Sequence, residues 1–144
     1  MSGAMKSKPS KEELAAFLKV EFPQNKTIIV AAGDMGATVK VNVGYGDLRP
    51  GGTISGPTTM ALADVALYIA ILAEIGIVPL AVTTSLSFNF LRKPKADRDL
   101  VGVCKLIKLG RTLAVGEVSI FSEGDSEPVA HAVGTYAIPR SAGS

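Results

Sequence analysis

Two features lying close together in the chain could do chemistry. A Gly/Pro-rich loop over residues 46–57 runs into a long apolar segment, and a carboxylate, Asp64, sits inside that segment among Ala63, Val65 and Ala66. The loop would present backbone N–H groups at a helix start, where unpaired donors and the helix dipole hold an oxyanion. Asp64 falls about two turns further in, where a carboxylate is costly unless it is paired, hydrated or used. Acyl transfer needs that combination: donors aimed at a carbonyl oxygen, with an acid or base close by. The same residues also have plainer uses. Gly51, Gly52 and Gly56 suit a tight turn, Ser55 suits a helix N-cap, and Asp64 could cap a neighbouring element.

The rest of the chain must position these groups. Ser10 and Glu13 match a capping box, followed by Leu14, Phe17, Leu18 and Phe22 on one helical face, with Pro23 as the stop. Thr27–Ala32 reads as a strand, Gly33–Gly36 as a turn, and the alternation of Thr38, Lys40 and Asn42 with Val39, Val41 and Val43 as a second strand. Residues 44–56 read as loop. Pro57 suits a first helical turn, which predicts a helix from 57 to about 75 that stops at Gly76. That helix is apolar nearly all round and should be buried on most sides. Thr83, Ser85, Ser87 and Asn89 then alternate with Thr84, Leu86, Phe88 and Phe90 as a strand, and Leu100–Ile107, Leu113–Phe121 and Pro128–Ile138 follow as three more. This order predicts an α+β domain over residues 10–140, a six-stranded antiparallel sheet wrapped around one long central helix. Residues 1–9 read as a disordered tail or a cloning remnant.

Composition narrows the function classes. The chain has 144 residues, net charge +2 and a single cysteine, Cys104, so no internal disulfide can form and the chain reads as cytoplasmic. Its basic residues are locally dense at Arg92-Lys93-Lys95-Arg98 and at Lys105, Lys108 and Arg111, too sparse for nucleic acid but suited to a few phosphates on a small ligand. The apolar run 60–73 is interrupted by Asp64 and is short for a bilayer span, and Met1–Lys8 lacks the apolar core of a signal peptide. Mean hydropathy of +0.33 points to a strongly buried helix or a large interface between copies. No His/Cys/carboxylate cluster suggests a metal. The one histidine, His131, lies in a Val-Ala-His-Ala-Val strand and reads as structural, and Cys104 reads as a small core residue.

The order and the residues together resemble the hotdog-fold thioesterases of the PaaI (phenylacetate-degradation) type, over roughly Thr27–Pro139. That family places an Asn, then His-Gly-Gly, then a helix carboxylate; here Arg49, Ser55-Gly56-Pro57 and Asp64 occupy those places, Asp64 nine residues after Ser55. Ser87-Phe-Asn-Phe-Leu-Arg-Lys-Pro94 resembles the family's Phe-Leu-Arg-Pro segment with one extra residue, and Lys108-Leu-Gly-Arg111 its Lys-x-Gly-Arg turn.

The resemblance implies hydrolysis of an acyl-CoA thioester. Asp64 would be general base or nucleophile, the Gly56 N–H would polarise the thioester carbonyl, and Thr83 would help place water. Ser55 and Arg49 would meet the substrate in place of His and Asn. Phe88 or Phe90 would lie along the acyl group, and Arg92, Lys93, Lys108 and Arg111 would meet the CoA phosphates. No cofactor is implied beyond CoA as part of the substrate. The site would be shared between two subunits of a homodimer, Asp64 and Gly56 coming from opposite chains, with dimers pairing again into a homotetramer. No nucleic acid or membrane partner is implied.

Three departures leave alternatives open. Pro57 removes the next possible backbone donor. Ser55 is shorter than a histidine and uncharged. Arg49 either pairs with Asp64 and weakens it as a base, or binds a carboxylate or phosphate of the substrate. A hotdog protein that binds an acyl ligand without cleaving it is the alternative function. A hydratase or dehydratase would need a histidine that neither Ser55 nor Arg49 supplies.

Overall fold

The computed structural model describes residues 8–139, so residues 1–7 of the expected tail lie outside it. The elements are α1 (Lys11–Glu21), β1 (Ile28–Gly33), β2 (Gly36–Val41), β3 (Leu48–Arg49), β4 (Thr53–Ile54), α2 (Gly56–Ile75), β5 (Val82–Phe90), β6 (Leu100–Leu109), β7 (Leu113–Ser122) and β8 (Ala130–Ala137). Six strands form one antiparallel sheet in the order β1-β2-β6-β7-β8-β5. The expected loop 44–56 is more ordered than its composition suggested: it holds a 3-10 turn, Tyr45–Asp47, and the small β3–β4 hairpin. Gly51 and Gly52 turn that hairpin with φ of 100° and 78°, which side-chain-bearing residues rarely adopt.

α2 is the core of the molecule. Its apolar surface faces the sheet, with Leu62, Ala63, Ala66, Leu67 and Ile69 through Leu72 buried. At 20 residues it is long and apolar enough to cross a bilayer, yet most of it is buried inside the fold. The strands supply the other half of the core at period two: Val39 and Val41, Leu100, Cys104 and Leu106, Val118 and Ile120, Ala130, Ala132 and Tyr136 all point inward. α1 begins with its capping box formed, Glu13 N–H donating to Ser10 Oγ at 3.1 Å and Ser10 N–H to Glu13 Oε1 at 2.9 Å, and it buries Leu14 and Leu18. Gly76 ends α2 with φ 97°, and its N–H donates to Leu72 O.

Glycines set how closely α2 approaches the sheet. Gly116 and Gly134 are cross-strand partners, and Leu67 enters the gap above them. A Cβ on Gly134 would lie 2.5 Å from Leu67 Cδ1, and one on Gly116 2.7 Å from Leu67 Cδ2. Gly134→Ala is therefore expected to destabilise the fold by about 1–3 kcal/mol through overpacking. Leu67→Ala alone should cost about 2–5 kcal/mol, and the double variant less than the sum, because each change relieves the other. Urea denaturation of the three variants checks this.

Candidate active site

The start of α2 leaves one backbone donor unpaired. Ser55 is the N-cap, and its Oγ accepts from Thr58 N–H at 3.2 Å. Thr59 N–H donates to Ser55 O at 3.3 Å, and Pro57 has no N–H. Gly56 N–H has no acceptor among the described residues, so the helix dipole and one free donor meet there. Phe90 on β5 lies over this point: a Cβ on Gly56 would be 3.4 Å from Phe90 Cζ, and the Phe88 and Phe90 rings are tilted at 45° to each other with centroids 4.8 Å apart.

The Ser55 hydroxyl faces inward, along a directed chain. Asp47 can only accept, so Thr58 Oγ1 donates to Asp47 Oδ1 (3.1 Å) and Ser55 Oγ donates to Thr58 Oγ1 (2.9 Å). Gly44 N–H donates to Asp47 Oδ2 at 2.8 Å, Lys26 pairs with the same oxygen, and Ser55 N–H donates to Asp47 O at 2.7 Å. Burial alone would raise the Asp47 carboxyl above its ordinary value. The bonds from Gly44, Lys26 and Thr58 outweigh burial and hold it below. Asp47 thus ties the whole 44–58 segment to the helix start. Ser55 thus serves as cap and loop tie, and its described partners include no base, the one histidine, His131, being bonded to Glu117.

Asp64 is half-buried at the edge of the sheet. Thr83 Oγ1 and Tyr136 OH both donate to its Oδ1, at 2.7 and 2.8 Å, and Tyr136 also reaches Asp64 O at 3.2 Å. Burial, reinforced by the Asp64 charge, pushes the Tyr136 phenol far up, so it keeps its proton and donates. Oδ2 makes no hydrogen bond among the described residues. A β-bulge makes the Thr83 contact possible. The β5–β8 register shifts between Thr83 and Ser85, which turns Thr83 to the helix side together with Leu86, Phe88 and Phe90. The strict alternation expected for β5 would have placed Thr83 on the opposite face.

Gly56 and Asp64 do not meet within one chain. Eight residues of helix separate them, about 12 Å along the axis. They line different cavities, Gly56 one with Arg49, Phe90, Arg92 and Lys93, and Asp64 another with Tyr68, Thr83 and Tyr136. Arg49 accordingly lies with Gly56 and makes no ion pair with Asp64. The basic cluster is largely compensated: Arg92 pairs with Glu127 at 2.7 Å, and Lys95 and Arg98 with Asp125 at 3.2 and 3.1 Å. Lys108 and Arg111 stand at the β6–β7 turn, the opposite end of the sheet from Arg92 and Lys93. His131 lies on the outer face of the sheet, between the inward Ala130 and Ala132, and bonds Glu117 at 2.9 Å. Burial pushes the Cys104 thiol up to about 12, so it stays protonated as a core side chain.

Four residues of these networks escaped the sequence reading: Asp47 with its partners Lys26 and Thr58, and Tyr136. Tyr136 carried a usable signal: it occupies an inward position of an alternating strand, and a buried phenol must find an acceptor. Asp47 carried none, being one more acid in a turn-rich loop.

A model of the thioesterase superfamily matches residues 51–129. The chain belongs to the thioesterase superfamily. Among solved structures it is similar to a candidate thioesterase from Silicibacter sp. TM1040, at 48% identity over 94% of this chain and 96% of that one, with a TM-score of 0.86. Thioesterase superfamily member 2 of zebra fish shares the fold at 20% identity, covering 91% of this chain and 99% of its own, with a TM-score of 0.80. The E. coli PaaI protein from the phenylacetic acid degradation operon does so at 20% identity, covering 90% and 94%, with a TM-score of 0.79. No protein of curated function matches the sequence. The fold of this thioesterase-superfamily chain is the hotdog fold, the sheet curling around α2.

Two outcomes follow for the networks. Tyr136→Phe removes one of the two hydroxyls that hold Oδ1, so kcat for thioester hydrolysis should fall about tenfold with KM nearly unchanged, the loss of one charge-assisted bond; steady-state kinetics measure it. Asp47→Asn should cost about 1–3 kcal/mol at neutral pH. A carboxyl held low in the folded state stabilises it fully above the ordinary carboxylate range and less as pH falls through the folded value. The gap between variant and wild type should therefore narrow below about pH 4, read by urea denaturation across pH.

Proposed function

We propose that this protein hydrolyses acyl-CoA thioesters to the free acid and CoA, as a homodimer in which each active site takes Gly56 from one chain and Asp64 from the other. The observation that carries this reading is the placement of the two groups. The free Gly56 N–H and the held Asp64 carboxylate are the pair that acyl transfer needs, yet they sit in separate cavities of one chain.

β5 supports the way they come together. It is an edge strand of nine residues with Val82 and Phe90 exposed, and a long unpaired edge favours pairing with another chain. Antiparallel pairing of β5 with its own copy about a two-fold axis reverses the strand. The Thr83 end, bonded to Asp64, then lies beside the partner's Phe90 end, which covers Gly56. The same operation brings the Lys108 and Arg111 end of one chain toward the Arg92 and Lys93 end of the other, a divided rim for the CoA phosphates.

In the reaction, the thioester carbonyl oxygen accepts from the Gly56 N–H and negative charge builds there under the helix dipole. Asp64 Oδ2 takes a proton from water as the water oxygen bonds to the carbonyl carbon, or attacks that carbon itself. In the first course the carbon–sulfur bond breaks and Asp64 passes the proton to sulfur, so CoA leaves as its thiol beside the free acid; in the second the bond breaks to leave an acyl–Asp64 anhydride, which water hydrolyses, its hydroxyl completing the acid and its proton going to the CoA thiolate. Thr83 and Tyr136 hold Oδ1, so the reactive oxygen stays aimed. No cofactor or metal enters this reading; CoA arrives as part of the substrate. The exposed Val103, Ile107 and Val133 on the outer sheet face support a second pairing of dimers into a tetramer. A single buried thiol suits the reducing cytoplasm.

A second reading, acyl-CoA binding without turnover, draws on one observation: Gly56 is a lone donor, because Pro57 has none and Thr58 is capped by Ser55. A thiol-release assay over an acyl-CoA panel separates the two. Asp64→Asn should abolish release while the fold and CoA binding persist. Gly56→Pro removes the N–H at a helix position where Pro is tolerated and sets its ring beside Phe90 where the carbonyl oxygen would sit, and should lower kcat about 100-fold or more. Mixing and refolding the two inactive variants should restore activity at about a quarter of the sites, because half the dimers are hybrids and each hybrid rebuilds one intact site. No restoration would mean that the site is not shared, and no release by the wild type would leave the binder.

A further inference from the structure

We propose that the cavity beneath α1 receives the acyl group and that Phe22 gauges its length; the inference deepens the hydrolase reading and rests on it. Two cavities reach the reacting groups, and their linings differ in charge. The one at Gly56 carries Arg49, Arg92 and Lys93 and no acid. The one at Asp64, of about 480 Å³, has Asp64 as its single charged residue; Asn25, Thr83 and the tyrosines add polar groups, and its apolar walls include Leu18, Phe22, Val65 and Val82. An anionic CoA and an apolar acyl group would sort themselves between these two environments: burying phosphates beside Asp64 would be unfavourable, and burying a hydrocarbon there removes apolar surface from water. A volume of this size is within the range of small-molecule sites.

The walls have an order. Tyr136 touches Asp64 directly. The Tyr68 ring, one turn along α2, lies 6.0 Å from Tyr136, and Phe22 stands edge-on to Tyr68 at 5.9 Å. Phe22 is thus two ring-to-ring steps beyond Tyr136 and lines the same cavity. It is also the α1 C-cap residue and 43% exposed, so replacing it does not hollow the core. An acyl chain whose carbonyl is at Asp64 runs along Tyr68 and ends against Phe22.

The test compares kcat/KM for butanoyl-CoA and dodecanoyl-CoA in wild type, Phe22→Ala and Phe22→Trp, with thermal denaturation of each. Opening the wall should raise the dodecanoyl-to-butanoyl ratio about tenfold, and thickening it should lower the ratio by a similar factor, the scale on which apolar pockets discriminate. A generally loosened protein would not move the ratio in opposite directions. If Phe22→Ala does not fold, the direction given by Phe22→Trp decides. Ratios within about twofold of wild type, or both moving the same way, overturn the gauge while leaving the hydrolase reading standing. A wild type inert on every acyl-CoA overturns both.

Discussion

Leu67 enters the sheet where Gly116 and Gly134 carry no side chain, and that seat fixes the height of α2 above the strands. The rest of the geometry follows from it. A helix that is apolar on nearly every side must be enclosed, and a six-stranded sheet encloses it only by curling and approaching closely. Close approach requires small residues under the largest helix side chains. Gly102, against Leu62 and Val39, serves the same purpose further along the sheet. With the helix seated, its ends are fixed too: the N-terminus emerges beside Phe90 and the Asp47 network, and Asp64 emerges at the sheet edge beside Thr83 and Tyr136.

The polar groups solve a problem that this burial creates. An enclosed helix start has orphan N–H groups, and an enclosed carboxylate has a desolvation cost. Ser55 satisfies the Thr58 N–H, Pro57 contributes no donor, and the directed chain from Ser55 through Thr58 to Asp47 holds the loop. What remains free is a single N–H, at Gly56. Asp64 is treated in the same way: two hydroxyls bind one of its oxygens and leave the other open. Reactive groups here are the ones left over once every neighbouring polar atom has a partner.

The two-chain character of the proposed site has the same origin. A straight helix cannot bring residues two turns apart onto one carbonyl carbon, so a second helix has to supply the missing half. The exposed β5 edge, which lies beside both groups at its opposite ends, offers the symmetric way to bring that helix in.

Much was legible in the sequence by itself. Ser10 and Glu13 marked the start of α1, Pro57 and Gly76 bracketed α2 to within a residue, and apolar runs, alternation and intervening turns marked the six strands of the sheet, because caps, breakers and periodicity are local effects. The order of elements and the family-like motifs also pointed to the hotdog fold. Tertiary structure alone decided the rest. The bulge at Thr84 reversed the facing of Thr83, which alternation cannot foresee because a bulge depends on the partner strand. Tyr136, 72 residues from the carboxylate it holds, was recruited by packing, and Asp47 by the fold of the 44–58 segment. The positions of Arg49 with Gly56, and of Lys108 and Arg111 at the opposite end from Arg92, follow from where the sheet carries each loop. Spacing along a chain determines which residues share an element, and only the close packing of elements determines which residues share a site.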